Sequence, residues 1–376
     1  MIQTDRQTDR QTDRQTDRQT DRQSNWELLR IIAMVLIVAG HFFGQSGFFN
    51  YASGGDYWFA IFFGSASRIA VNIFLLLGVW FMVDSKFKAK RVLKLYFNVW
   101  ILTVPITVVI IILGFHPGIK DVVRGFFPFV SEAVWFATAY LVLIILSPWL
   151  HRIIAWPQNR FKLFLVLCTL FIPIWITFFT LGRSYYWLEK IGWFCYVYIF
   201  MGYYKHYMRY TIPHAPVLFI GILLYIAISA ASGYCNLHIA DSNYMKLGQK
   251  ITTAILIDYK TIPNFFIAMC IFYFFQNIEI EHNKIINYIA TGAFTTYVIH
   301  QTPAFIQILW HNIYQCDYYL QTEYRSIFAL SVIISVYAIC LAVERVRRKF
   351  IEPLFLDFKV IKNLEQKIDT AFKCIE

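Results

Sequence analysis

Ten apolar runs, most of them close to twenty residues long, alternate with short polar segments along this chain of 376 residues. About 20 apolar residues in a helix cross the hydrocarbon core of a bilayer, whereas strands of a membrane barrel alternate over roughly ten residues. The pattern therefore predicts an all-α, polytopic membrane protein with about ten transmembrane helices. The runs lie at 26–43, 58–83, 91–114, 132–150, 161–180, 187–204, 214–232, 261–277, 288–310 and 325–344. The stretch 233–260 contains an apolar segment that is too short to span.

The composition excludes a soluble globular protein. Hydrophobic residues make up 58% of the chain and charged residues 15%, against about 45–50% and 25% in soluble domains. A soluble fold of this size would expose a very large apolar surface. Seven cysteines are scattered without a paired spacing, so neither a disulfide framework nor a metal site is predicted.

The net charge of +11 is explained by topology better than by a nucleic-acid partner. Of the segments between the runs, one alternate set carries fifteen Lys and Arg and the other carries seven. Positive charge concentrates on the cytoplasmic side of membrane proteins. Both termini are therefore predicted to be cytoplasmic, and residues 346–376 are predicted to be a cytoplasmic C-terminal tail.

The N-terminal segment repeats Gln-Thr-Asp-Arg five times over residues 3–22. It has no apolar residue with which to build a core, so residues 1–24 are predicted to be a disordered tail. Three consecutive copies of the tetranucleotide CAGA encode one Gln-Thr-Asp-Arg unit. We therefore hypothesise a repeat tract whose length switches expression, as in phase variation, and mixed synonymous codons there would contradict it. The alternative is a tail without function.

The first helix contains two ionisable residues in or near the hydrocarbon, Arg30 and His41. Such residues indicate function by default. Eleven residues at 100° each bring both side chains to one helix face, about 16 Å apart along the axis. Glu27 lies on the same face and is expected to hold Arg30 in place. The alternative is a snorkelling arginine and a core histidine.

This helix, with Arg-x10-His, resembles the signature of the membrane acyltransferase-3 family. Further segments match the family's pattern in order: the second-helix block 67–74, the basic pair Arg91 and Lys94, Trp135-Phe136 with Tyr140 and Pro148, and the late block 296–300. The resemblance covers residues 25–345. One position departs from the pattern, because Leu77-Gly78-Val79 stands where the family usually has Ser-Gly, so no role of that serine is carried over.

The resemblance implies an O-acyltransferase of the bacterial inner membrane. Its donor would be cytoplasmic acyl-CoA, most often acetyl-CoA, and its acceptor a sugar hydroxyl of a surface polysaccharide or of a lipid-linked precursor. Arg30, Arg91 and Lys94 would then meet the CoA phosphates at the cytoplasmic face. No metal is expected.

His41 is the expected catalytic residue, either as general base for the acceptor hydroxyl or as carrier of the acyl group. Arg68, at a similar depth in the second helix, would stabilise an oxyanion or orient the acceptor. A partner for a buried carboxylate is the equal alternative for Arg68. Trp135, Tyr297 and His300 are candidate cavity-lining residues, with core packing as their alternative.

Two other classes of protein share this composition. A ten-helix transporter or flippase would use Arg30, His41 and Arg68 to bind an anionic substrate, and internal repeats would favour it; no clear repeat is seen. A polysaccharide polymerase of the same membrane would need no CoA site. Transfer of label from acetyl-CoA to a glycan distinguishes the enzyme from both.

Overall fold

A computed structural model describes residues 23–130, 134–179, 187–208, 212–238, 258–352 and 359–373, and this part of the chain is helical without any strand. Seven helices are long and apolar enough to cross a membrane, and Ile262–Asn277 is a shorter apolar helix. The prediction of an all-α membrane protein is confirmed. The count of ten spans and the cytoplasmic termini remain predictions.

The helices are numbered here in chain order. They are α1 Ser24–Gln45, α2 Gly54–Met82, α3 Ala89–Ile112, α4 Ile119–Phe126, α5 Trp135–Ile154, α6 Gln158–Thr169, α7 Trp175–Phe179, α8 Trp187–Tyr207, α9 His214–His238, α10 Ile262–Asn277, α11 Lys284–Ile289, α12 Ala293–His300, α13 Pro303–Gln307, α14 Cys316–Tyr319, α15 Arg325–Val346 and α16 Lys359–Lys373. Short π-helical turns follow α6, α13 and α15.

The apolar run 288–310 is not one helix, contrary to the sequence prediction. It is divided among α11, a 3₁₀ turn at Ala290–Gly292, α12 and α13. The break after His300 coincides with Thr302 in an extended conformation followed by Pro303 at the first position of α13. Proline restricts the residue before it to extended conformations and lacks an N–H, so the helix has to end there. The break leaves His300 at the last turn of α12.

The predicted N-terminal tail is shorter than residues 1–24. Ser24 is already the first residue of α1, and its hydroxyl accepts a hydrogen bond from the Asn283 backbone N–H at 2.8 Å. Gln23 accepts from the Trp26 indole at 2.7 Å. The first contact anchors the start of α1 to the segment before α11, and the second is local to α1. Residues 1–22, which contain the repeat, lie outside the described residues.

The centre of the bundle is the pair α1 and α2, which run antiparallel and make the most extensive helix–helix contact among the described residues. Gly40 faces Ser67 so closely that a β-carbon at residue 40 would overlap the Ser67 side chain. Small residues allow this approach inside membranes, where close packing and hydrogen bonds hold helices together. The crossing brings His41 and Arg68, the next residues along each helix, to the same level.

The predicted C-terminal tail contains a helix that docks on the bundle. In α16 the Phe372 ring stacks on Phe87 with centroids 4.2 Å apart. The Asp369 carboxylate accepts a hydrogen bond from the Ala89 backbone N–H at 2.7 Å. This carboxylate satisfies an open N–H at the first turn of α3 and complements its helix dipole. The first turns of α3, which carry Arg91 and Lys94, are thereby fixed in place.

Candidate active site

A pair of histidines lies where α1 and α12 meet. Nδ1 of His41 is 2.9 Å from Nε2 of His300, and Nδ1 of His300 is 2.5 Å from the carbonyl oxygen of Thr296. A carbonyl only accepts, so Nδ1 of His300 carries its proton and Nε2 of neutral His300 offers a lone pair. His41 therefore donates through Nδ1, which leaves its Nε2 unprotonated and basic.

A small cavity of about 80 Å³ lies beside His41. Of the residues expected at the site, His41, Arg68, Trp135 and Tyr297 form part of its wall. The rest of the wall is formed by Met34, Ile37, Gly40, Ser67, Val71, Phe74 and Phe136. We call this the histidine cavity. It is large enough for a small acyl group and has a basic nitrogen and a guanidinium in an otherwise largely apolar wall.

Arg68 has an exposed side chain at this cavity. Across the described segments its guanidinium has no carboxylate within ion-pair distance. Its positive charge acts on both His41 and Tyr259. The geometry thus leaves its hydrogen-bond donors directed to the cavity rather than to a buried acid.

A second, larger cavity of about 490 Å³ opens at the end of the bundle where α3 begins and α15 ends. Four cationic side chains line it: Arg91, Lys94, Arg347 and Arg348. We call this the basic cavity. Asn98, Tyr140 and Thr295 add hydrogen-bonding groups to its wall. Such a set of donors suits phosphate groups.

Two carboxylates hold the cations of the basic cavity in position. Glu344 is buried and binds Arg347 at 2.8 Å, Thr295 at 2.5 Å, and Arg348. Glu352 binds Lys94 at 2.7 Å and Arg347 at 3.1 Å. Burial acts to raise the pKa of Glu352, but its hydrogen bond with Lys94 and the nearby positive charges outweigh burial and keep that pKa below its ordinary value. Both acids thus serve as fixed counter-charges.

The two cavities follow one another along the same three helices. Phe74, Phe136 and Tyr297 line the histidine cavity, and Gly78, Tyr140 and Phe294, each about one turn away, line the basic cavity. The Phe136 and Tyr140 rings are nearly parallel with centroids 6.2 Å apart. The Tyr140 ring lies over Gly78, where any β-carbon would overlap it. The Phe136 and Tyr140 rings, called here the aromatic layer, therefore lie between the histidine cavity, which Phe136 lines, and the basic cavity, which Tyr140 lines.

The remaining predicted residues lie outside both walls or behind them. Arg30 pairs with buried Glu27 at 2.6 Å, as expected for a carboxylate that holds the arginine. Arg30 does not line the basic cavity, although its charge, like that of Arg91, acts on the Tyr140 hydroxyl. His300 does not line the histidine cavity. It lies behind His41 and forms part of an apolar groove between α3, α13 and α15.

Several residues of the site were not found from the sequence. In the sequence, Arg347 and Arg348 indicate only the orientation of the chain in the membrane, and Glu344 only marks the end of an apolar run. The signal was the spacing, because Glu344 lies three and four residues before two arginines on one helix face. Tyr259 lies in the stretch 233–260, whose lack of periodicity hid it; residues 239–257 of that stretch lie outside the described residues.

These features define a multi-pass membrane protein with a histidine site buried between its helices. The chain belongs to the acyltransferase-3 family, because the family's model, described as an acyltransferase domain, matches residues 23–344. The protein is thus a membrane acyltransferase, as the sequence resemblance predicted. Comparisons with curated proteins and with solved structures give no match.

Proposed function

We propose that this protein transfers an acyl group from cytoplasmic acyl-CoA to a sugar hydroxyl, and that the acyl group is acetyl. The observation that carries the proposal is the succession of the basic cavity and the histidine cavity along α2, α5 and α12. CoA has the same order of parts, with phosphates at one end and the thioester at the other.

The donor's phosphates would bind in the basic cavity. Arg91, Lys94 and Arg348 offer charged donors there, Arg347 reinforces them, and Arg30 adds charge from α1. The pantetheine arm would pass the aromatic layer of Phe136 and Tyr140 to reach the histidine cavity. The volume of about 80 Å³ there favours a short acyl group over a long one.

The chemistry follows from the state of His41. As general base, its Nε2 takes the proton of the acceptor hydroxyl while that oxygen attacks the thioester carbon. The C–S bond then breaks, and the thiolate of CoA receives the proton from the imidazolium. As acyl carrier, Nε2 itself attacks the thioester carbon, and the C–S bond breaks to release the thiolate of CoA. The acceptor oxygen then attacks the acyl carbon, the N–C bond to His41 breaks, and the hydroxyl proton passes to the thiolate. Both routes need the neutral tautomer that His300 supports.

The acceptor is proposed to be a sugar of a surface polysaccharide or of its lipid-linked precursor, in a bacterial inner membrane. Members of the family to which the chain belongs act on such acceptors. The apolar surfaces of the spanning helices keep the site within the bilayer, where a lipid-linked sugar is delivered.

The test uses inside-out membrane vesicles supplied with radiolabelled acetyl-CoA. Label is expected in the glycan fraction with the wild-type protein and to be lost with His41→Ala at equal protein level. The matched control is His116→Ala, which removes an exposed histidine just before α4. Turnover by His41→Ala at the wild-type rate contradicts the assignment of the base. Failure of the wild-type protein to use any acyl-CoA contradicts the proposed function itself and favours a transporter or polymerase.

A further inference from the structure

The hydroxyl of Tyr259 is buried without a hydrogen-bond partner among the described residues. Only 7% of the residue is exposed. A buried polar atom that loses water without gaining a partner is unfavourable, and native structures contain few of them. Such an atom in an enzyme calls for an explanation, and a bound substrate is one.

The chain fixes Tyr259 at this place through its backbone. Its carbonyl oxygen accepts a hydrogen bond from Nδ2 of Asn72 at 2.6 Å, and Oδ1 of Asn72 accepts from the Trp193 indole at 3.0 Å. Asn72 is one helical turn after Arg68 on α2. The backbone of Tyr259, three residues before α10, is thus tied to the same face of α2 that carries Arg68.

The side chain of Tyr259 packs on the outside of the wall of the histidine cavity. Its ring packs on Trp135 with centroids 5.2 Å apart. Asp258, Arg68, Glu189 and Tyr297 all act electrostatically on its hydroxyl, and of these Arg68 and Tyr297 belong to the cavity wall. Non-helical backbone inside a membrane bundle is tolerated where it is buried in protein or lines a cavity. The loop before α10 meets that condition because Tyr259, Lys260 and Thr261 are all buried in protein.

We propose that Tyr259 is a catalytic residue that donates a hydrogen bond to the carbonyl oxygen of the thioester, beside Arg68. This inference rests on the proposed acyl transfer. A neutral phenol donates a hydrogen bond readily, and a guanidinium has hydrogen-bond donors and no acceptor. The two groups together suit an oxygen that gains negative charge, whereas the acceptor hydroxyl must give its proton to His41.

The step moves no proton through Tyr259. When the acceptor oxygen bonds to the thioester carbon, the π pair of the C=O bond moves to oxygen, and the Tyr259 O–H stabilises that oxyanion. When the C–S bond breaks, the pair returns to re-form C=O. The phenol keeps its proton throughout.

The first test is Tyr259→Phe, which keeps the ring on Trp135 and removes only the hydroxyl. Loss of one oxyanion donor typically lowers kcat by about 10²–10³-fold, and KM for acetyl-CoA is expected to stay within about twofold since phosphate contacts are unchanged. The thermal midpoint is not expected to fall, because the hydroxyl has no described protein partner. The control is Tyr225→Phe, whose buried hydroxyl bonds Ser65 at 3.1 Å and the Phe62 carbonyl. That variant should lose stability and keep kcat.

Wild-type kcat in Tyr259→Phe overturns the inference and indicates that water satisfies the hydroxyl. A rise in KM for the sugar with unchanged kcat also overturns it. If Tyr259→Phe does not fold, fluorotyrosine at 259 keeps the hydroxyl but ionises at lower pH, so kcat should begin to fall at a lower pH than in the wild type. A structural role leaves that pH profile unmoved. These outcomes presuppose acyl transfer by the wild-type protein, whose absence would contradict the proposed function instead.

Discussion

His41 and His300 form a hydrogen-bonded pair, with Nδ1 of the first 2.9 Å from Nε2 of the second. The Thr296 carbonyl fixes the proton of His300 on the other ring nitrogen. The Thr296 carbonyl, His300, His41 and the cavity follow one another in this order. His300, which does not line the cavity, therefore determines which nitrogen of His41 is basic. This is the logic by which an orienting group serves a catalytic histidine in hydrolases.

Replacement of His300 is therefore expected to reduce catalysis without weakening donor binding. His300→Ala removes the acceptor for Nδ1 of His41, and wrong-tautomer variants elsewhere suggest a loss in kcat of about 10²–10⁴-fold. His300→Gln offers an amide oxygen to the same N–H and should restore part of the rate. The measurements are kcat and KM for acetyl-CoA in purified protein. Equal rates for wild type and His300→Ala at equal folding would show that His300 is only a core residue.

The basic cavity gives a second prediction with a matched pair of arginines. Arg348 lines the cavity, whereas Arg345, three residues earlier and equally exposed, lies over the Tyr288 ring outside it. A charge-assisted hydrogen bond contributes about 1.5–3 kcal/mol, so Arg348→Gln should raise KM for acetyl-CoA by about tenfold or more. Arg345→Gln should leave KM within about twofold of wild type. The assay is initial rate against acetyl-CoA concentration. Equal KM values for the two variants would contradict the assignment of this cavity to the donor.

Part of the site was predictable from the sequence for physical reasons. The spans follow from the length of the apolar runs, and His41 and Arg68 stand out because each is an ionisable residue within an apolar helix. What could not be predicted is contact between distant segments. His300 bonds His41 across 259 positions of sequence, and Tyr259 packs on Trp135 from a loop without periodicity.

Two differences had a visible signal that the apolar pattern concealed. Pro303 marks the end of α12, yet the run 288–310 is predominantly apolar and its length predicts one span. Arg347 and Arg348 follow a long apolar helix, where positive charge is ordinarily a sign of topology. In this protein the same arginines also line a cavity, because ion pairs with Glu344 and Glu352 hold them against the bundle.

The crossing of α1 and α2 gives a third prediction. Gly40→Ala should separate the helices, because the new β-carbon overlaps the Ser67 side chain. Overpacking of this kind costs about 1–3 kcal/mol, and the displacement of His41 from Arg68 should lower kcat as well. Ser67→Gly removes the atoms that clash, so the double variant should recover stability and rate. Thermal midpoints in detergent and kcat for all four proteins test this, and additive losses in the double variant would contradict it.

The loop between α2 and α3 gives a prediction for pH. Burial acts to raise the pKa of Asp84, but the hydrogen bond and charge of Lys205, aided by His206, outweigh burial and hold that pKa below its ordinary value of 3.8. A carboxyl with a lowered pKa in the folded state stabilises it above the unfolded pKa, and the contribution is lost as pH falls through the folded pKa. Asp84→Asn should therefore lower the thermal midpoint at pH 7, and the difference from wild type should begin to shrink below about pH 4 and vanish once the pH falls below the folded pKa.

The expected size of this effect is small because Asp84 is 49% exposed, and exposed ion pairs contribute about 0–1 kcal/mol. The control is Asp121→Asn, which removes a carboxylate of similar exposure, 43%, from a longer pair with Arg124 at 3.6 Å. Its midpoint should match wild type across the same pH range. Added salt should reduce the difference for Asp84→Asn, since screening weakens exposed pairs. A difference that persists unchanged at pH 3 would mean that Asp84 stabilises the loop by packing rather than by its charge.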